Sequence, residues 1–444
     1  MKPCASAAKT LILKWIKSQR CKTFLCLQHY KINNGARHIH CATGVQNYYN
    51  FVRKSKDAIR NEKVLSHSYL KQLLQSCKSV KEQLEIFDSY TKLTENDISF
   101  RRSVCQNIEK IFKPYFPDCS VCLTGSSFSG LGLRGCDVDL SLQFSTDESS
   151  QHDVSTKQDK SIYLKDVKMG NVPASDLLAV APKRALHLLQ NVLIDSGYDK
   201  EPRVLPGRCP ILSFAYDITV CDLAINNKSA FKGSNLMLLC RMIDDRTAPL
   251  YRFVSYWIKH YKMCGGPLKF KSYAIFLLVV YFLQTRSPPI LPSIKHMLDE
   301  TEFIKNCNNW SFDISEYLEK FERSKNSQSI EELLREFFTF YAEFDYTNVI
   351  CPLTSQLKNV RELYSKNDSD DDKFQVSEIS IQDPLDLKWN VTCGVSWKYS
   401  RHFKQNLDLI CDIYQNEQFL QPSTDNWGLI SLLEGYDALK SFKK

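Results

Sequence analysis

The sequence predicts an α+β protein in which a mixed β-sheet with helices precedes a mainly helical domain. Strand-like runs, in which apolar residues alternate or form short blocks, fall between residues 115 and 229. From residue 230 to 415, apolar residues recur at helical spacing instead. The chain has 444 residues, more than a single hydrophobic core usually holds, so we expect two domains with extensions.

Residues 1–56 form a basic leader. They contain no Asp or Glu and eleven Lys or Arg, which leaves 47 basic and 50 acidic residues for the rest of the chain. The net charge of +8 therefore comes from the leader and does not indicate that the folded body binds nucleic acid. An acid-free, basic and amphipathic N terminus is typical of a mitochondrial transit peptide, and a disordered basic tail is the alternative.

The sequence predicts that residues 57–114 form a helical segment that packs with the second domain. Thr94 and Asp97 provide a capping signal for its last helix. A buried stripe follows at helical spacing, and a proline ends the helix at Pro117. The stripe consists of Phe100, Val104, Ile108, Ile111 and Phe112.

The stretch from Leu123 to Leu142 joins a Gly-Ser turn, Gly125-Ser126, to a strand that carries Asp137 and Asp139. Alternate residues of a strand share a face, so the two carboxylates lie side by side. They repel each other unless a cation lies between them, and Mg²⁺ prefers oxygen ligands that are completed by water and substrate phosphates. Glycine lets the backbone approach a phosphate closely. A hairpin with solvated aspartates is the alternative.

A third carboxylate, Asp222, lies in an otherwise apolar strand that follows the run Ile211–Tyr216. A lone buried carboxylate costs free energy unless it is paired or bound to metal. Three strand carboxylates and a Gly-Ser turn indicate nucleotidyl transfer over two ions of Mg²⁺ or Mn²⁺, held about 3.5–4 Å apart.

Five further features complete the organisation of the chain. Residues 145–176 predict an exposed insertion, 366–373 an acidic solvated loop and 416–444 a C-terminal tail. The apolar run 274–283 has ten residues, half of the roughly twenty needed to span a bilayer, so we expect a buried helix and no membrane insertion. Seventeen scattered cysteines favour a reducing compartment.

The motifs together resemble the DNA polymerase β-like nucleotidyltransferases, and within them the noncanonical poly(A) polymerases and terminal uridylyltransferases. Residues 60–415 carry the resemblance, which includes Gly125-Ser126, Asp137, Asp139, Asp222 and a series of later signatures. The later signatures are Asn226-Asn227, Asp244–Arg246, Trp257, Ser272-Tyr273, Leu283-Gln284, Pro288–Pro292, Ile381–Pro384 and Asn390-Val391. Tyr115–Cys119, Gly135-Cys136 and Phe282–Pro292 are similar to the mitochondrial members in particular.

The resemblance implies a fold and a set of roles. Residues 115–229 would form the nucleotidyltransferase palm and 230–415 the helical domain associated with poly(A) polymerases, with the active site in the cleft between them. Asp137, Asp139 and Asp222 would be catalytic metal ligands. The residues implied to contact the nucleotide are Gly125, Ser126, Asn227, Gly233, Ser234, Lys259, Ser272, Tyr273, Asp383 and Trp389. Ser255 replaces a basic residue of the family, and Arg252 or Lys262 would compensate for it.

Trp389 bears on the choice of nucleotide. Uridylyltransferases of this family have a histidine just before the Asn-Val pair, and this chain has Trp389 there, which favours ATP. The resemblance therefore implies an adenylyltransferase that acts on single-stranded RNA 3′ ends in the mitochondrial matrix. A uridylyltransferase, a cytoplasmic poly(A) polymerase and an inactive RNA- or partner-binding scaffold are the alternatives. No separate RNA-binding module is evident, so an RNA-binding partner or a homodimer would assist.

Overall fold

The computed structural model describes residues 66–144, 173–197, 201–217, 219–266, 268–308, 310, 312–360, 374–423 and 426–435. The leader, nearly all of the insertion 145–176 and the acidic run 366–373 lie outside these ranges, and they remain predictions. Within the described ranges no helix is both long and apolar enough to cross a membrane.

The first half of the chain contains helices and all five strands of the main sheet. Thr94 caps the helix Glu95–Phe112 (α3), because its hydroxyl accepts the Asp97 N–H and the Asp97 carboxylate accepts the Thr94 N–H at 2.8 Å. The predicted capping signal is therefore confirmed. The elements are α1 (His67–Gln75), α2 (Val80–Thr91), α3 (Glu95–Phe112), β1 (Cys119–Leu123), α4 (Gly125–Ser129), β2 (Val138–Phe144), α5 (Ala174–Ala179), α6 (Pro182–Asp195), β3 (Arg203–Leu205), β4 (Ile211–Tyr216) and β5 (Thr219–Ile225).

The five strands form one mixed sheet in the order β1-β2-β5-β4-β3. Strands β2 and β5 run parallel, and the other three pairings of this sheet are antiparallel. Side chains of α3 and α6 pack on the sheet and form one hydrophobic core with it, including Val104, Ile108 and Leu189. This is the mixed sheet with helices that the sequence predicts.

The second half of the chain forms a larger core around the helix Ser272–Gln284 (α9), in which every residue from Ala274 to Gln284 is buried. The expectation that this half is helical is wrong at two short hairpins, β6–β7 and β8–β9. Their apolar runs are too short to show a helical period. The elements are α7 (Lys228–Ile243), α8 (Thr247–His260), α9 (Ser272–Gln284), α10 (Ile294–Glu300), α11 (Phe303–Asn308), α12 (Ile330–Ala342), β6 (Asn348–Cys351), β7 (Gln356–Asn359), β8 (Gln382–Asp383), β9 (Asp386–Asn390), α13 (Trp397–Tyr414) and α14 (Leu429–Glu434).

The segment before the sheet divides between the two cores. Leu70, Leu74 and Phe87 of α1 and α2 pack in the core of the helical half, as expected. The stripe of α3 packs on the sheet instead, which corrects the expectation that all of 57–114 packs with the second domain. The reason is that α3 continues directly into β1, so its apolar face lies over the strand that follows.

The C-terminal segment is also part of the larger core as far as residue 435. Trp427 is fully buried, and the Leu429 N–H donates to the Gln83 side-chain oxygen at 2.7 Å. The Tyr261 hydroxyl donates to the Leu432 carbonyl at 3.3 Å. The description of 416–444 as a tail is therefore wrong for its described residues, because the apolar run of α14 is buried against α1, α2 and α8.

Candidate active site

Asp139 and Asp222 lie directly opposite each other on the two parallel strands at the centre of the sheet. The β2–β5 register pairs Val138 with Cys221, Asp139 with Asp222 and Leu140 with Leu223. Paired residues of adjacent strands share a face, so both carboxylates project from one side of the sheet. Their flanking residues Val138, Leu140, Cys221 and Leu223 are buried in the core on the other side.

Gly125 places the backbone of the predicted turn against Asp139. Its φ of +64° lies in the left-handed region, and a Cβ at this position would collide with the Asp139 carboxylate oxygen Oδ2. The Gly125 N–H donates to the Ser234 hydroxyl of α7 at 2.6 Å. The structure therefore brings the Gly-Ser turn, the second carboxylate and α7 together, and it requires glycine at position 125.

The carboxylates form one electrostatic cluster. Burial, and next the neighbouring Asp222 and Asp137, raise the pKa of Asp139 to about 8. The positive charges of Lys259 and Arg101 offset part of that rise. Lys259 is exposed near the end of α8, and the contact with phosphate that the resemblance implies for it remains a prediction.

The donor set of this cluster fits a divalent cation. Three neighbouring carboxylates supply hard oxygen ligands and excess negative charge, both of which favour Mg²⁺ or Mn²⁺. Within the described residues no group of three or more His, Cys, Asp and Glu side chains is arranged so that it could hold a metal ion, so metal binding by the three aspartates remains a prediction.

Two arginines, the buried Arg101 and the half-buried Arg241, hold the turn, and the sequence did not predict them. Arg101 donates to the Ser127 hydroxyl at 3.2 Å and to the Cys136 carbonyl at 2.9 Å, so it ties α4 to the residue before Asp137. Arg241 of α7 donates to the Ser129 carbonyl at 3.2 Å. Arg101 was detectable, because it lies one turn before Val104 on the buried stripe of α3, where a charge needs a buried partner.

Arg252 does not compensate for Ser255 in the way the sequence suggests. Its guanidinium donates to Asp88 at 2.6 Å and to the Gly130 carbonyl at 3.1 Å, and the residue is 6% exposed. Arg252 therefore supports the end of α4 from the core, and Ser255 is itself buried. Lys262 is exposed just after α8, and its role remains a prediction.

A second group of predicted residues surrounds Tyr273 at the start of α9. The Tyr273 hydroxyl donates to Asp383 Oδ1 of the β8–β9 hairpin at 3.3 Å. A Cβ on Gly233 would lie 3.5 Å from the Tyr273 ring, so Gly233 leaves room for that ring beside α7. Burial and the Asp383 carboxylate raise the pKa of Tyr273 above its usual value, which keeps its hydroxyl protonated.

Several predicted contacts already have structural partners. The Asn227 side chain caps α7 by accepting the Ala230 N–H at 2.9 Å, and the Ser234 hydroxyl is occupied by Gly125. The Ser126 hydroxyl donates to the Cys136 sulfur at 3.8 Å, and Ser272 is the first residue of α9. These four residues shape the site, and their proposed contacts with a nucleotide remain predictions.

Trp389 is contacted by the palm. The Arg208 guanidinium, in the loop between β3 and β4, lies 4.0 Å from the centre of the Trp389 ring and pairs with Asp386. Trp389 and Asp386 belong to β9, in the hairpin that also holds Asp383. The structure therefore links the palm to the helical half at the residue where sequence reasoning looks for base selection.

Two family profiles match this chain over these elements. The profile described as "Poly(A) RNA polymerase, mitochondrial-like, central palm domain" covers residues 80–241, and "Cid1 family poly A polymerase" covers residues 329–388. The first includes the three aspartates and the Gly-Ser turn, and the second includes Asp383. Residues 80–241 and 329–388 therefore match two domain families of noncanonical poly(A) polymerases.

Curated relatives agree with this family. The chain is 26% identical over 423 residues to the "Speckle targeted PIP5K1A-regulated poly(A) polymerase" of Xenopus tropicalis, covering 86% of this chain and 50% of that protein. It is 29% identical over 395 residues to "Poly(A) RNA polymerase, mitochondrial" of Homo sapiens, covering 86% of this chain and 64% of that protein. The chain thus spans between half and two thirds of the length of these relatives.

Solved structures of the family share the fold. A crystal structure of mtPAP in complex with ATPγS superposes with a TM-score of 0.68 at 23% identity, covering 84% of this chain and 76% of that one. A cytoplasmic RNA terminal U-transferase superposes with a TM-score of 0.57 at 20% identity, covering 80% and 98%. Both solved structures therefore share their architecture with this chain.

Some of the family signatures in the sequence hold the fold together. Arg246 binds the Asp244 carboxylate and donates to the Asn326 carbonyl at 2.8 Å, which fastens the α7–α8 turn to a distant loop. Gln284 donates to the Pro292 and Pro352 carbonyls, each at 3.0 Å. Asn390 accepts the Ile381 N–H at 3.1 Å. These residues orient the β8–β9 hairpin and α9 around Tyr273.

Proposed function

We propose that this chain is a template-independent polynucleotide adenylyltransferase that transfers AMP from ATP to the 3′ end of single-stranded RNA. The pairing of Asp139 with Asp222, with the Gly125 turn against Asp139, carries the proposal. It combines acidic metal ligands with a backbone turn that suits a phosphate, and no nucleophilic side chain is needed for this chemistry. The names of the relatives support the same activity.

The site residues have two roles, which are to neutralise charge and to position the substrates. Asp137, Asp139 and Asp222 would hold Mg²⁺ or Mn²⁺, which supplies neutralisation of phosphate charge and activation of the RNA 3′-hydroxyl when bound. The Gly125 turn, fixed by Ser234 and Arg101, presents its backbone to the triphosphate, and Lys259 adds a positive charge. Catalysis by this site consists mainly of positioning and electrostatic stabilisation.

Base recognition is assigned to the surroundings of Tyr273. Its ring supplies a stacking surface, which accepts any base, so the choice between ATP and UTP depends on other groups. Trp389 stands where uridylyltransferases of the family have a histidine, and Arg208 holds its ring. An indole under a guanidinium offers no acceptor for the uracil N–H, because the only polar hydrogen-bonding atom of the side chain is a donor.

The uridylyltransferase and the inactive scaffold remain the competing functions. A uridylyltransferase would have the same carboxylate cluster as an adenylyltransferase and would differ from it only around Trp389. The second would keep the fold without using the carboxylates. The clustering of Asp137, Asp139 and Asp222 disfavours the scaffold, because neighbouring carboxylates repel one another and are costly to maintain without a use.

Primer extension with each of the four nucleoside triphosphates tests the proposal. We expect the full chain with Mg²⁺ or Mn²⁺ to lengthen a short RNA with ATP and not with UTP, CTP or GTP. The control is Asp137→Ala/Asp139→Ala, which we expect to extend nothing. Extension chiefly with UTP would replace the adenylyltransferase by a uridylyltransferase, and no extension with any nucleotide would favour the scaffold.

The variant Trp389→His refines the same assay. We expect it to increase the use of UTP relative to ATP by about tenfold or more, because one hydrogen bond to the uracil is worth roughly 1–1.5 kcal/mol. The matched control is Tyr69→His, which introduces the same side chain in place of an aromatic residue that is 50% exposed on α1. An unchanged ratio for Trp389→His would remove Trp389 from base selection.

We place the protein in the mitochondrial matrix, on the composition of residues 1–56 and the names of the mitochondrial relatives. Relatives named as speckle-targeted make another compartment the competing assignment. A reporter fused to residues 1–56 is expected to enter mitochondria. A variant leader in which Lys9, Lys14, Lys17 and Arg20 are changed to Gln should remain outside, and a cytosolic signal from the unaltered leader would overturn the placement.

A further inference from the structure

Two long stretches of the folded body contain no acidic residue. The first runs from residue 246 to 298 and the second from 387 to 407. Both contain lysine and arginine, although the body as a whole has slightly more acids than bases. The basic residues are Arg246, Arg252, Lys259, Lys262, Lys269, Lys271, Arg286 and Lys295 in the first stretch and Lys388, Lys398, Arg401 and Lys404 in the second.

The fold brings these two stretches together. The Ser396 N–H donates to the Leu268 carbonyl at 2.9 Å, which joins the loop before α9 to the N terminus of α13. The ammonium of Lys269 lies 5.1 Å from the centre of the Tyr399 ring. A local concentration of positive charge therefore forms from segments more than a hundred residues apart, which no reading of the sequence in order could show.

An exposed indole lies in the middle of this surface. Trp397 is 64% exposed and Leu268 is 59% exposed, the two highest fractions among the exposed large apolar side chains of the described residues. The Arg401 guanidinium lies 5.9 Å from the centre of the Trp397 ring. We call Leu268, Lys269, Trp397, Lys398 and Arg401 the Trp397 patch.

The cations of the Trp397 patch are available for a ligand. Lys398 and Arg401 are exposed, and neither has an acidic partner within 4 Å among the described residues. Lys404, one turn further along α13, pairs with Glu378 at 3.5 Å and is not part of the patch. A flat aromatic ring between unneutralised cations fits a ligand that combines planar rings with repeated negative charge.

The Trp397 patch adjoins the elements that carry Tyr273 and Trp389. Lys269 and Lys271 immediately precede Ser272 and Tyr273 at the start of α9. Trp397 begins α13, a short turn after the end of β9, the strand that carries Trp389. A chain held on this surface therefore lies beside the cleft in which the nucleotide is proposed to bind.

We propose that the Trp397 patch binds single-stranded RNA behind its 3′ end, an inference that rests on the proposed adenylyltransferase function. A base stacks on Trp397, while Lys269, Lys398 and Arg401 neutralise neighbouring phosphates. Stacking on an aromatic ring does not depend on the identity of the base, which suits an enzyme whose own product becomes its substrate. The patch supplies RNA affinity without a separate binding domain.

Fluorescence anisotropy of a labelled single-stranded RNA in EDTA tests the proposal independently of catalysis. We expect Trp397→Ala in the full chain to weaken binding roughly 5- to 100-fold, the range found for loss of one stacked base. Lys398→Gln/Arg401→Gln should lower the slope of log affinity against log salt by about 1.4, since each phosphate contact on a single strand contributes about 0.7. In primer extension both variants should raise KM for RNA and leave kcat and KM for ATP unchanged.

Two exposed residues elsewhere provide matched controls. Tyr69→Ala removes an aromatic ring that is 50% exposed on α1, and Lys305→Gln removes a charge on α11 whose side chain is 75% exposed. Neither should change RNA affinity. Because all the substituted side chains are at the surface, a thermal melt should report folded protein for every variant.

The outcomes separate this proposal from the proposed function. Unchanged RNA binding in both patch variants, with normal extension by the unaltered chain, would overturn the patch and keep the adenylyltransferase. Patch-dependent binding by a chain that extends RNA with no nucleotide would keep the patch and overturn the adenylyltransferase. A change in oligomeric mass without a change in RNA affinity would make the surface a protein interface, and that also overturns the proposal.

Discussion

Replacing Asp222 by asparagine is expected to lower the rate of nucleotide addition by at least about 1,000-fold, which corresponds to about 4 kcal/mol of lost transition-state stabilisation. Asparagine has the same shape as aspartate, so the register of β2 and β5 and the buried neighbours Cys221 and Leu223 are unaffected. The loss is one of charge at the position opposite Asp139, where the cation would be held. Single-turnover primer extension with ATP measures it.

The same variant should change how metal affects stability. Asp222 is the largest electrostatic cause of the raised pKa of Asp139, after burial, so removing its charge relieves repulsion inside the sheet. We expect Asp222→Asn to melt at a higher temperature than the unaltered chain in EDTA. We also expect Mn²⁺ to stabilise the unaltered chain and to have little effect on the variant, since a ligand stabilises only the state that binds it.

Asp408→Asn serves as the control for this prediction, because Asp408 is an exposed acid on α13 away from the cluster. Its activity and its response to Mn²⁺ should match those of the unaltered chain. If Asp222→Asn retained normal activity, or if Mn²⁺ stabilised it as strongly as the unaltered chain, Asp222 would have no part in binding metal.

Gly125→Ala is expected to reduce activity by about 100-fold or more while the protein remains folded, because a displacement of about 1 Å at a positioned reacting group costs that much. The new Cβ would collide with the Asp139 carboxylate, and the turn would have to move or the carboxylate rotate away. Either movement separates the backbone N–H groups of the turn from the metal ligands. The effect should appear mainly in kcat for nucleotide addition.

The positive φ of Gly125 adds a second effect that needs its own control. A non-glycine residue at a φ of +64° costs on the order of 1 kcal/mol in stability. Gly197 has a φ of +79°, and a Cβ added there would have no atom within 4 Å, so Gly197→Ala imposes the same backbone strain without touching a carboxylate. Gly197→Ala should lose stability and keep activity; equal losses of activity in both variants would mean that strain alone explains the result for Gly125.

Much of the candidate site could be predicted from local sequence. The alternation of Asp137 and Asp139 with apolar residues predicts neighbouring carboxylates on one strand, and the structure places Asp139 in β2 and Asp137 immediately before it. The capping signal at Thr94 fixes the start of α3. Both depend on periods of two to four residues, which the order of the chain displays directly. Asp222 could be recognised as unusual because it interrupts an apolar strand, although its partner could not be named.

Other parts required the pairing of distant segments. Arg252 was a reasonable candidate for the triphosphate from its sequence position, yet it is buried against Asp88 and the Gly130 carbonyl. Arg208 approaches Trp389 from a loop nearly two hundred residues earlier in the chain. Whether a charged side chain is structural or available to a ligand depends on what packs against it, and sequence spacing carries no information about that.

The family resemblance, the candidate role of the three aspartates and the Gly-Ser turn, and the two-part α+β architecture could be inferred from the sequence by itself. Each depends on residue types and short-range spacing. The tertiary structure alone decided that Asp139 faces Asp222, that α3 belongs to the sheet and that the described C-terminal residues are buried. It also decided that two acid-free segments meet at Ser396 and Leu268 to form one basic surface. The physical reason is that burial and strand pairing are long-range outcomes of the whole core.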